Sequence, residues 1–292
     1  MGTAREAAGD VPEAFFLKWD IKIRQLEVRL TEQVTPRMLR VWLGGPDLAG
    51  FESHLPDEHV KLVFPDADTG ETRAPAQDGD HLDWPRPMPP TREYSIRDYD
   101  GERIALDFVV HEGGLASAWA QNARPGDLIW VAGPRPSRTV PEEFTHRILL
   151  GDETALPAIG RWLAELPRDV TGVAAIEVAD DRERQELDAP EGVEVVWLSR
   201  DGAPAGTTSL LADFVQNLEL PADRHTYLFA AAESSIVKPI RRWARAHGLG
   251  PGQSEVKGYW RRGKTSQVST AAIIADKALH AVQHALGRDH DH

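Results

Sequence analysis

The feature that most constrains this chain is a change of hydrophobic pattern close to residue 147. Before this point the apolar residues form short runs separated by Pro, Gly and Asp: IRQLEVRL, MLRVWLG, HVKLVF, REYSIRDY, RIALDFVVH and DLIWVAG. Short, partly alternating runs with turn residues between them are typical of antiparallel barrels and sandwiches. We therefore predict an all-β first domain over residues 21–145.

After residue 145, apolar strands alternate with amphipathic helical segments. RILLGD precedes ALPAIGRWLAEL, and TYLFAAAES precedes SIVKPIRRWARAHG. This order predicts a parallel sheet with crossover helices. We assign residues 146–265 to this α/β domain, residues 1–20 to an N-terminal segment, and residues 266–292 to a C-terminal helical extension and tail. The polar, proline-rich insert 66–90 predicts a long surface loop.

The composition excludes several functions. The 292 residues include 46 acidic and 33 basic side chains, a formal net charge of −13, which repels nucleic-acid phosphates and anionic membranes. No apolar run approaches the roughly 18 residues of a membrane-spanning helix, and no secretory signal precedes the first domain. We expect a cytoplasmic protein that neither binds nucleic acid nor inserts into a membrane. Because cysteine is absent, redox chemistry would need an organic cofactor rather than a cysteine-bound iron–sulfur cluster.

A candidate cofactor site begins with the motif R-E-Y-S at residues 92–95. On a strand Arg92 and Tyr94 point to the same face, which places a cation for a phosphate beside an aromatic ring. Ser95 could reach a ring nitrogen of the ligand if the ligand lies along the strand end. Each residue also fits ordinary barrel structure, with Arg92 in a surface ion pair and Tyr94 in the core.

The following strand, which ends at His111, leads into a glycine-bearing turn and a predicted helix. Ser117 is the predicted N-cap of that helix. Free N–H groups and the positive end of a helix dipole favour a diphosphate there. A plain strand-to-helix turn is the alternative, and a lone histidine such as His111 is more often structural. Together with R-E-Y-S, the turn is suited to a flat cofactor that bears a diphosphate, and a flavin is the natural candidate.

Two further motifs lie in the second domain. Gly151-Asp152-Glu153-Thr154 follows the first parallel strand, at the edge where open α/β sheets bind ligands, although G-x-G-x-x-G is absent. A capping threonine is the alternative there. The segment 257–264, KGYWRRGK, places two aromatic residues among four cations on an otherwise acidic protein. An edge strand with solvated charges is its alternative.

These motifs, in this order, resemble those of the FAD-dependent siderophore-interacting proteins, which are ferric-siderophore reductases of the ferredoxin-reductase superfamily. The likeness covers about residues 21–264 and rests on REYSIR, DFVVHEGGLASAWAQNARPGDLIWVAGPRPS, GDETALPAI and KGYWRRG. It implies an antiparallel Greek-key barrel that binds FAD, a parallel-sheet α/β domain for NADH or NADPH, and a C-terminal helix.

The resemblance also implies roles for individual residues. Arg92 would bind the FAD diphosphate, Tyr94 would stack on the isoalloxazine, and Ser95 would lie near flavin N5. The remaining cofactor contacts would come from Asp107, Val109, His111, Gly114, Ala116, Ser117, Thr154 and Trp260. A patch of cations, Lys238, Lys257 and Arg261, would face an anionic ferric chelate.

The implied activity is electron transfer from NADH or NADPH through FAD to an Fe(III)-siderophore, with release of Fe(II). Electron transfer to iron requires no protein acid or base, so we assign no catalytic residue and no metal site. Asp180 and Asp181 favour NADH, whereas Arg182 and Arg184 favour NADPH. Two alternatives are a siderophore carrier without turnover and a flavin component that reduces a partner protein. A separate ferredoxin could also couple with the chain.

Overall fold

The structure is a computed structural model that describes residues 12–16, 20–222 and 225–263. Within them the strands are β1 (Phe15–Phe16), β2 (Lys22–Thr35), β3 (Met38–Gly44), β4 (His59–Val63), β5 (Ala76–Asp78), β6 (His81–Asp83), β7 (Thr91–Tyr99), β8 (Arg103–Val109), β9 (Leu128–Arg135), β10 (Arg138–Thr139), β11 (His146–Asp152), β12 (Thr171–Val178), β13 (Val193–Ser199), β14 (Thr226–Glu233) and β15 (Ser254–Trp260). The α-helices are α1 (Leu115–Asn122), α2 (Leu156–Glu165), α3 (Leu210–Gln216) and α4 (Val237–Ala246).

The first domain is a closed antiparallel barrel with the strand order β2-β3-β8-β7-β4-β9. Alternate residues of each strand point inward, as the period of two requires. They form a single core that includes Leu26, Val41, Leu62, Ile96, Leu106 and Val131. The all-β first domain predicted from the sequence is confirmed.

The second domain is a five-stranded parallel sheet with the order β13-β12-β11-β14-β15. One face of the sheet packs against α2 through side chains such as Trp162, Ile176 and Phe229. The opposite face packs against α3 and α4 through side chains such as Leu211 and Ile240. The parallel α/β domain predicted from the strand and helix alternation is confirmed.

The insert 66–90, the start of α1 and the C-terminal segment were each predicted from the sequence. The insert 66–90 is not only a loop, because β5 and β6 form a short antiparallel hairpin within it. Helix α1 begins at Leu115 with Gly114 as its N-cap, so the prediction that Ser117 caps this helix is wrong. The predicted C-terminal helix lies outside the described residues. Among the helices that the structure describes, none has the length and apolar character to span a bilayer.

Helix α2 joins the two domains. Arg161 donates a hydrogen bond to Ser53 of the barrel at 2.8 Å. One residue earlier, Gly160 makes room for a barrel side chain, since a Cβ there would lie only 3.1 Å from Nε of Arg97 on β7. Strand β7, which carries the R-E-Y-S motif, therefore lies directly against the α/β domain.

Candidate functional site

The two strands that carry the predicted cofactor residues separate where those residues lie. Strands β7 and β8 pair as far as Ile96 and Leu106, and the described residues show no pairing between them beyond that point. β7 nevertheless continues along β4 back to Thr91, and β8 continues along β3 to Val109. A gap therefore opens in the barrel wall, and backbone groups on both of its sides are available to a ligand.

Arg92 and Tyr94 stand on one face of β7 beside this gap. Their cross-strand partners on β4 are Leu62 and Val60, whose side chains belong to the barrel core. The Tyr94 ring packs on Phe108 with centroids 4.2 Å apart, and burial raises the pKa of its hydroxyl. Burial also lowers the pKa of Arg92, which means that its charged form is held at a cost. An anion bound beside Arg92 would offset that cost.

The turn after β8 supplies further hydrogen-bond donors. In the first turn of α1 the N–H groups of Leu115, Ala116 and Ser117 have no hydrogen-bond acceptor among the described residues. The Ser117 hydroxyl is engaged locally, because it donates to the His111 carbonyl at 2.9 Å and accepts from the His111 N–H at 3.0 Å. Gly114 leaves room for the His111 ring, since a Cβ at this position would lie 2.4 Å from that ring and displace it. The turn is thus held with its N–H groups unused.

These observations fit FAD. A gap between strands suits a flat ring, and a half-buried arginine together with unused helix N-terminal N–H groups suits a diphosphate. The Asp107 carboxylate is paired with Arg40 at 2.6 and 2.9 Å, so its negative charge does not strongly repel a diphosphate. Val109 packs instead on the core of the α/β domain. The roles of individual residues toward FAD stay predictions.

Ser95 points to the opposite face of β7, toward the α/β domain. Its buried side chain lies close to the Tyr259 hydroxyl on β15, and burial raises the pKa of Tyr259 to about 12. Lys257, two residues earlier, lies 3.2 Å from Asp57 and 2.8 Å from Glu255. Although burial opposes it, the pairing with these two carboxylates raises the pKa of Lys257. Lys257 is therefore charged and partly neutralised beside Ser95.

More charged residues share this face of the barrel wall. We use the name outer face for the side chains of His59, Lys61, Glu93, Ser95 and Arg135, together with the Lys257–Asp57 pair close to His59. His59 lies between Ser95 and Arg135 in register, and burial, with Lys257 and Arg135 nearby, lowers its pKa to about 4. Lys61 pairs with Glu93 at 3.3 Å.

Lys61, His59 and Arg135 were not predicted from the sequence. The signal available for two of them was the alternation in HVKLVF, which puts His59 and Lys61 on the face opposite the core residues Val60 and Leu62. Their proximity to Ser95 could not be predicted, because it depends on the pairing of β4 with β7 and β9.

The predicted cation patch is not assembled in one place. Lys257 lies against the barrel, whereas Lys238 is exposed on α4, which packs on the other face of the parallel sheet. Arg261 is exposed and follows the last residue of β15, so it does not continue the alternation of that strand. The part that these three cations play in binding a chelate stays a prediction.

The carboxyl edge of the parallel sheet is built around buried acids. The Asp152 carboxylate accepts hydrogen bonds from Thr154 Oγ at 2.5 Å, from Glu233 N at 3.0 Å and from Trp260 Nε1 at 2.8 Å. Burial raises the pKa of Asp152 despite these bonds. Thr154 and Trp260, both predicted to contact FAD, are thus held to one carboxylate that joins the ends of β11, β14 and β15.

Two further acids lie beside a buried arginine at this edge. Arg200 donates to Glu153 at 2.9 Å and lies 3.7 Å from a Glu177 oxygen. Burial raises the pKa of both Glu153 and Glu177. The loop from Asp201 to Ser209 lies over these groups, because Thr208 donates to Glu177 at 2.7 Å. We use the name acidic edge for the four acids Asp152, Glu153, Glu177 and Glu233 together with Arg200.

The residues that were expected to select the nucleotide pair with each other. Arg182 binds Asp180 at 2.9 and 2.8 Å, and Arg184 binds Asp181 at 2.7 Å. Hydrogen bonds from Arg182 lower the pKa of Asp180. Because the arginines and the acids neutralise one another at the surface, this segment favours neither NADH nor NADPH by charge alone.

Comparison with known proteins agrees with both halves of the chain. The sequence model described as the siderophore-interacting FAD-binding domain matches residues 27–138, and the model described as siderophore-interacting protein matches residues 144–263. The first match covers nearly all of the barrel, and the second covers the parallel sheet with its helices.

Individual proteins are similar over most of their length. The NADPH-dependent ferric-chelate reductase of Escherichia coli is 32% identical over 246 residues, which are 82% of this chain and 94% of that protein. The ferric vibriobactin reductase of Vibrio cholerae is 30% identical over 84% of this chain and 91% of its own length. A siderophore utilization protein from T. fusca has a crystal structure that is 44% identical, covers 87% of this chain and 98% of that one, and superposes with a TM-score of 0.82.

Proposed function

The chain belongs to the siderophore-interacting protein family, and on that premise we propose that it is a ferric-siderophore reductase that uses NAD(P)H and bound FAD and releases Fe(II) in the cytoplasm. The observation that carries this proposal is the gap between β7 and β8. Arg92 and Tyr94 lie on β7 at one side of the gap, β8 leads into the N-terminus of α1 at the other side, and Ser95 of the outer face follows Tyr94 on β7. A flavin site and a charged docking face thus share one strand.

When bound, FAD accepts two electrons as a hydride and returns them singly, which joins a nicotinamide donor to a one-electron acceptor such as Fe(III). The chain's own residues bind and orient. Arg92 and the first-turn N–H groups of α1 would hold the diphosphate, and Tyr94 would support one face of the ring. Ser95, close to the Tyr259 hydroxyl, would present its own hydroxyl toward the flavin edge.

The outer face would receive the chelate. Lys61, Arg135 and Lys257 are cations placed around Ser95, on a protein whose net charge is −13. Because Glu93, Asp57 and Glu255 pair with two of these cations, the face is close to neutral, and an anionic chelate is repelled less here than by the rest of the acidic surface. Fe(II) binds hard oxygen ligands more weakly than Fe(III), so reduction at this face would release the metal.

The test is an anaerobic titration of the purified protein. We expect a yellow protein whose flavin absorbance is bleached by NADPH or NADH, recovers on addition of a ferric siderophore, and yields Fe(II) that a ferrous chelator captures. Bleaching without recovery by any ferric chelate would favour a flavin component that serves a partner protein or a ferredoxin. A colourless protein that cannot be reconstituted with FAD would contradict the proposal.

The Arg92→Ala variant tests the cofactor site itself. Loss of a charge-assisted contact to the diphosphate should weaken FAD binding by about 10- to 100-fold. Reconstitution of the apoprotein, followed by flavin fluorescence, measures this change. Arg103→Ala is the matched control, because Arg103 lies at the other end of β8 in an exposed pair with Asp100 and should leave FAD affinity unchanged. Equal affinities of both variants would show that Arg92 does not bind the diphosphate.

A further inference from the structure

The insert 66–90 places one aromatic ring against the outer face of the barrel. The Lys61 ammonium lies over the Trp84 ring, 5.5 Å from its centroid, and only 8% of the Lys61 side chain is exposed to solvent. Trp84 itself is partly exposed. It therefore covers a cation of the outer face and still presents part of its ring to a ligand.

The insert is fixed to the barrel, so this position is built into the fold. Gln77 of β5 accepts a hydrogen bond from the Ile23 N–H at 3.1 Å and donates to the Ile21 carbonyl at 3.2 Å. Within the insert, Arg73 donates to the Pro87 carbonyl at 3.1 Å, close to Trp84 in the chain. The Gln77 bonds hold the hairpin beside β2, and the Arg73 bond ties the segment after the hairpin to the start of the insert.

The charge of the insert cannot explain attraction of an anion. Residues 66–90 contain six acidic and two basic side chains, and Trp84 is their one aromatic residue. An acidic segment repels an anionic chelate, and the Trp84 ring is the aromatic surface with which the insert can offset that repulsion. Indole rings bind flat aromatic groups by offset or edge-to-face stacking.

We infer that Trp84 is a specificity-determining residue that favours ferric chelates whose iron ligands are aromatic, such as catecholates, over chelates with aliphatic hydroxamate or carboxylate ligands. This inference rests on the proposed function, because it assumes that the chelate docks on the outer face. The cations Lys61, Arg135 and Lys257 attract any anionic chelate alike. The ring adds a contact that only an aromatic ligand can return.

The experiment measures binding without turnover. Isothermal titration of the oxidised holoprotein, with no nicotinamide present, gives Kd for three ferric chelates: a hexadentate tris-catecholate, which is anionic and aromatic, ferric dicitrate, which is anionic and aliphatic, and a hexadentate tris-hydroxamate, which is neutral and aliphatic. We expect Trp84→Ala to weaken the tris-catecholate by about 3- to 10-fold and to change the other two by less than about 2-fold. Trp84→Phe should retain most of the affinity for the tris-catecholate.

The control variant is Trp42→Ala. Trp42 also pairs with a cation on the barrel surface, since Arg103 lies 4.9 Å from its ring, but it lies on β3, away from β4 and β7 in the strand order. Its removal should leave all three constants unchanged. A Trp84→Ala protein with a lower melting temperature and unchanged constants would overturn the inference, as would an equal loss for all three chelates. Wild-type protein that binds none of them would instead contradict the proposed function.

Discussion

The outer face of the barrel and the acidic edge of the parallel sheet both collect charged groups, but they balance them differently. On the outer face cations and acids alternate, as in the pairs Lys61–Glu93 and Lys257–Asp57. On the acidic edge Asp152, Glu153, Glu177 and Glu233 are all buried, and Arg200 pairs with two of them, Glu153 and Glu177.

The difference indicates which of the two regions can receive an anion. The outer face keeps Lys257 one-third exposed, so an arriving anion can compete with Asp57 and Glu255 for its ammonium group. Most carboxylate oxygens of the acidic edge accept internal hydrogen bonds, with donors that include Thr154, Thr208 and Trp260. An anion that entered the acidic edge would meet buried carboxylates, and we expect it to bind there weakly unless the loop Asp201 to Ser209 moves.

The largest expected loss of stability at the acidic edge comes from replacing Arg200. Arg200→Met should lower the free energy of unfolding by about 3 to 5 kcal/mol at pH 8, because Glu153 and Glu177 then stay buried without a counter-charge. Urea unfolding followed by circular dichroism measures the loss. The loss should shrink as the pH falls. The folded-state pKa values of both acids are raised, so they take up protons in the folded protein before they would in the unfolded chain.

The control for this prediction is Arg168→Met. Arg168 makes a slightly shorter bond to Asp188, at 2.7 Å against 2.9 Å, but both side chains are more than half exposed. Exposed ion pairs contribute little, so this variant should unfold at nearly the same urea concentration as the wild type. Two results would contradict this prediction: an equal loss of free energy in the two variants, or an Arg200→Met loss that does not depend on pH. Either would show that Glu153 and Glu177 do not depend on Arg200 as a buried counter-charge.

Features of the two regions that depend on neighbouring residues in the chain could be predicted from the sequence, whereas features that depend on distant residues could not. The two domains follow from hydrophobic periodicity, and the R-E-Y-S strand and the glycine-bearing turn are local signals, so both could be predicted from the sequence. The hydrogen bond between Asp152 and Trp260 joins residues 108 positions apart, and the Lys257–Asp57 pair joins residues 200 positions apart. Such contacts are set by strand order, which periodicity does not encode, and Lys61 and Trp84 were overlooked for the same reason.

For the outer face, we predict that His59 makes the stability of the protein depend on pH. Burial lowers its pKa to about 4, against an unfolded value of 6.5. Between these values the unfolded chain binds the proton and the folded protein does not, so His59 costs stability as the pH falls. From pH 7 to pH 5 the cost should reach about 2 kcal/mol, and His59→Gln should remove it.

The difference between wild type and variant is the quantity to measure. The acids with raised pKa values, such as Glu58 and Glu255, act in the opposite direction over this range, and they are common to both proteins. Urea unfolding of each protein at pH 7, 6 and 5 gives the difference directly. Parallel stability curves would mean that His59 titrates normally, and that the outer face is more open to water than its contacts with Lys257 and Arg135 indicate.

The smallest expected effect on stability concerns the loop from Asp201 to Ser209, which lies over the acidic edge. Gly202 and Gly206 both have a positive φ, of 93° and 72°, and alanine at either position should cost roughly 1 kcal/mol for that reason. Only Gly206 is crowded, since its Cβ would lie 2.9 Å from Glu233 and 3.0 Å from the Trp260 ring, whereas a Cβ at Gly202 meets nothing within 4 Å. Gly206→Ala should therefore be less stable than Gly202→Ala by about a further 1 kcal/mol.

That margin distinguishes a closed acidic edge from an open one. If the loop rests on Glu233 and Trp260, the added methyl group must displace one of them, and the penalty exceeds that of the backbone alone. If the two variants unfold at the same urea concentration, the loop already stands away from these side chains. In that case the carboxylates would be accessible to solvent, and a nicotinamide nucleotide could approach the carboxyl ends of the strands without first moving the loop.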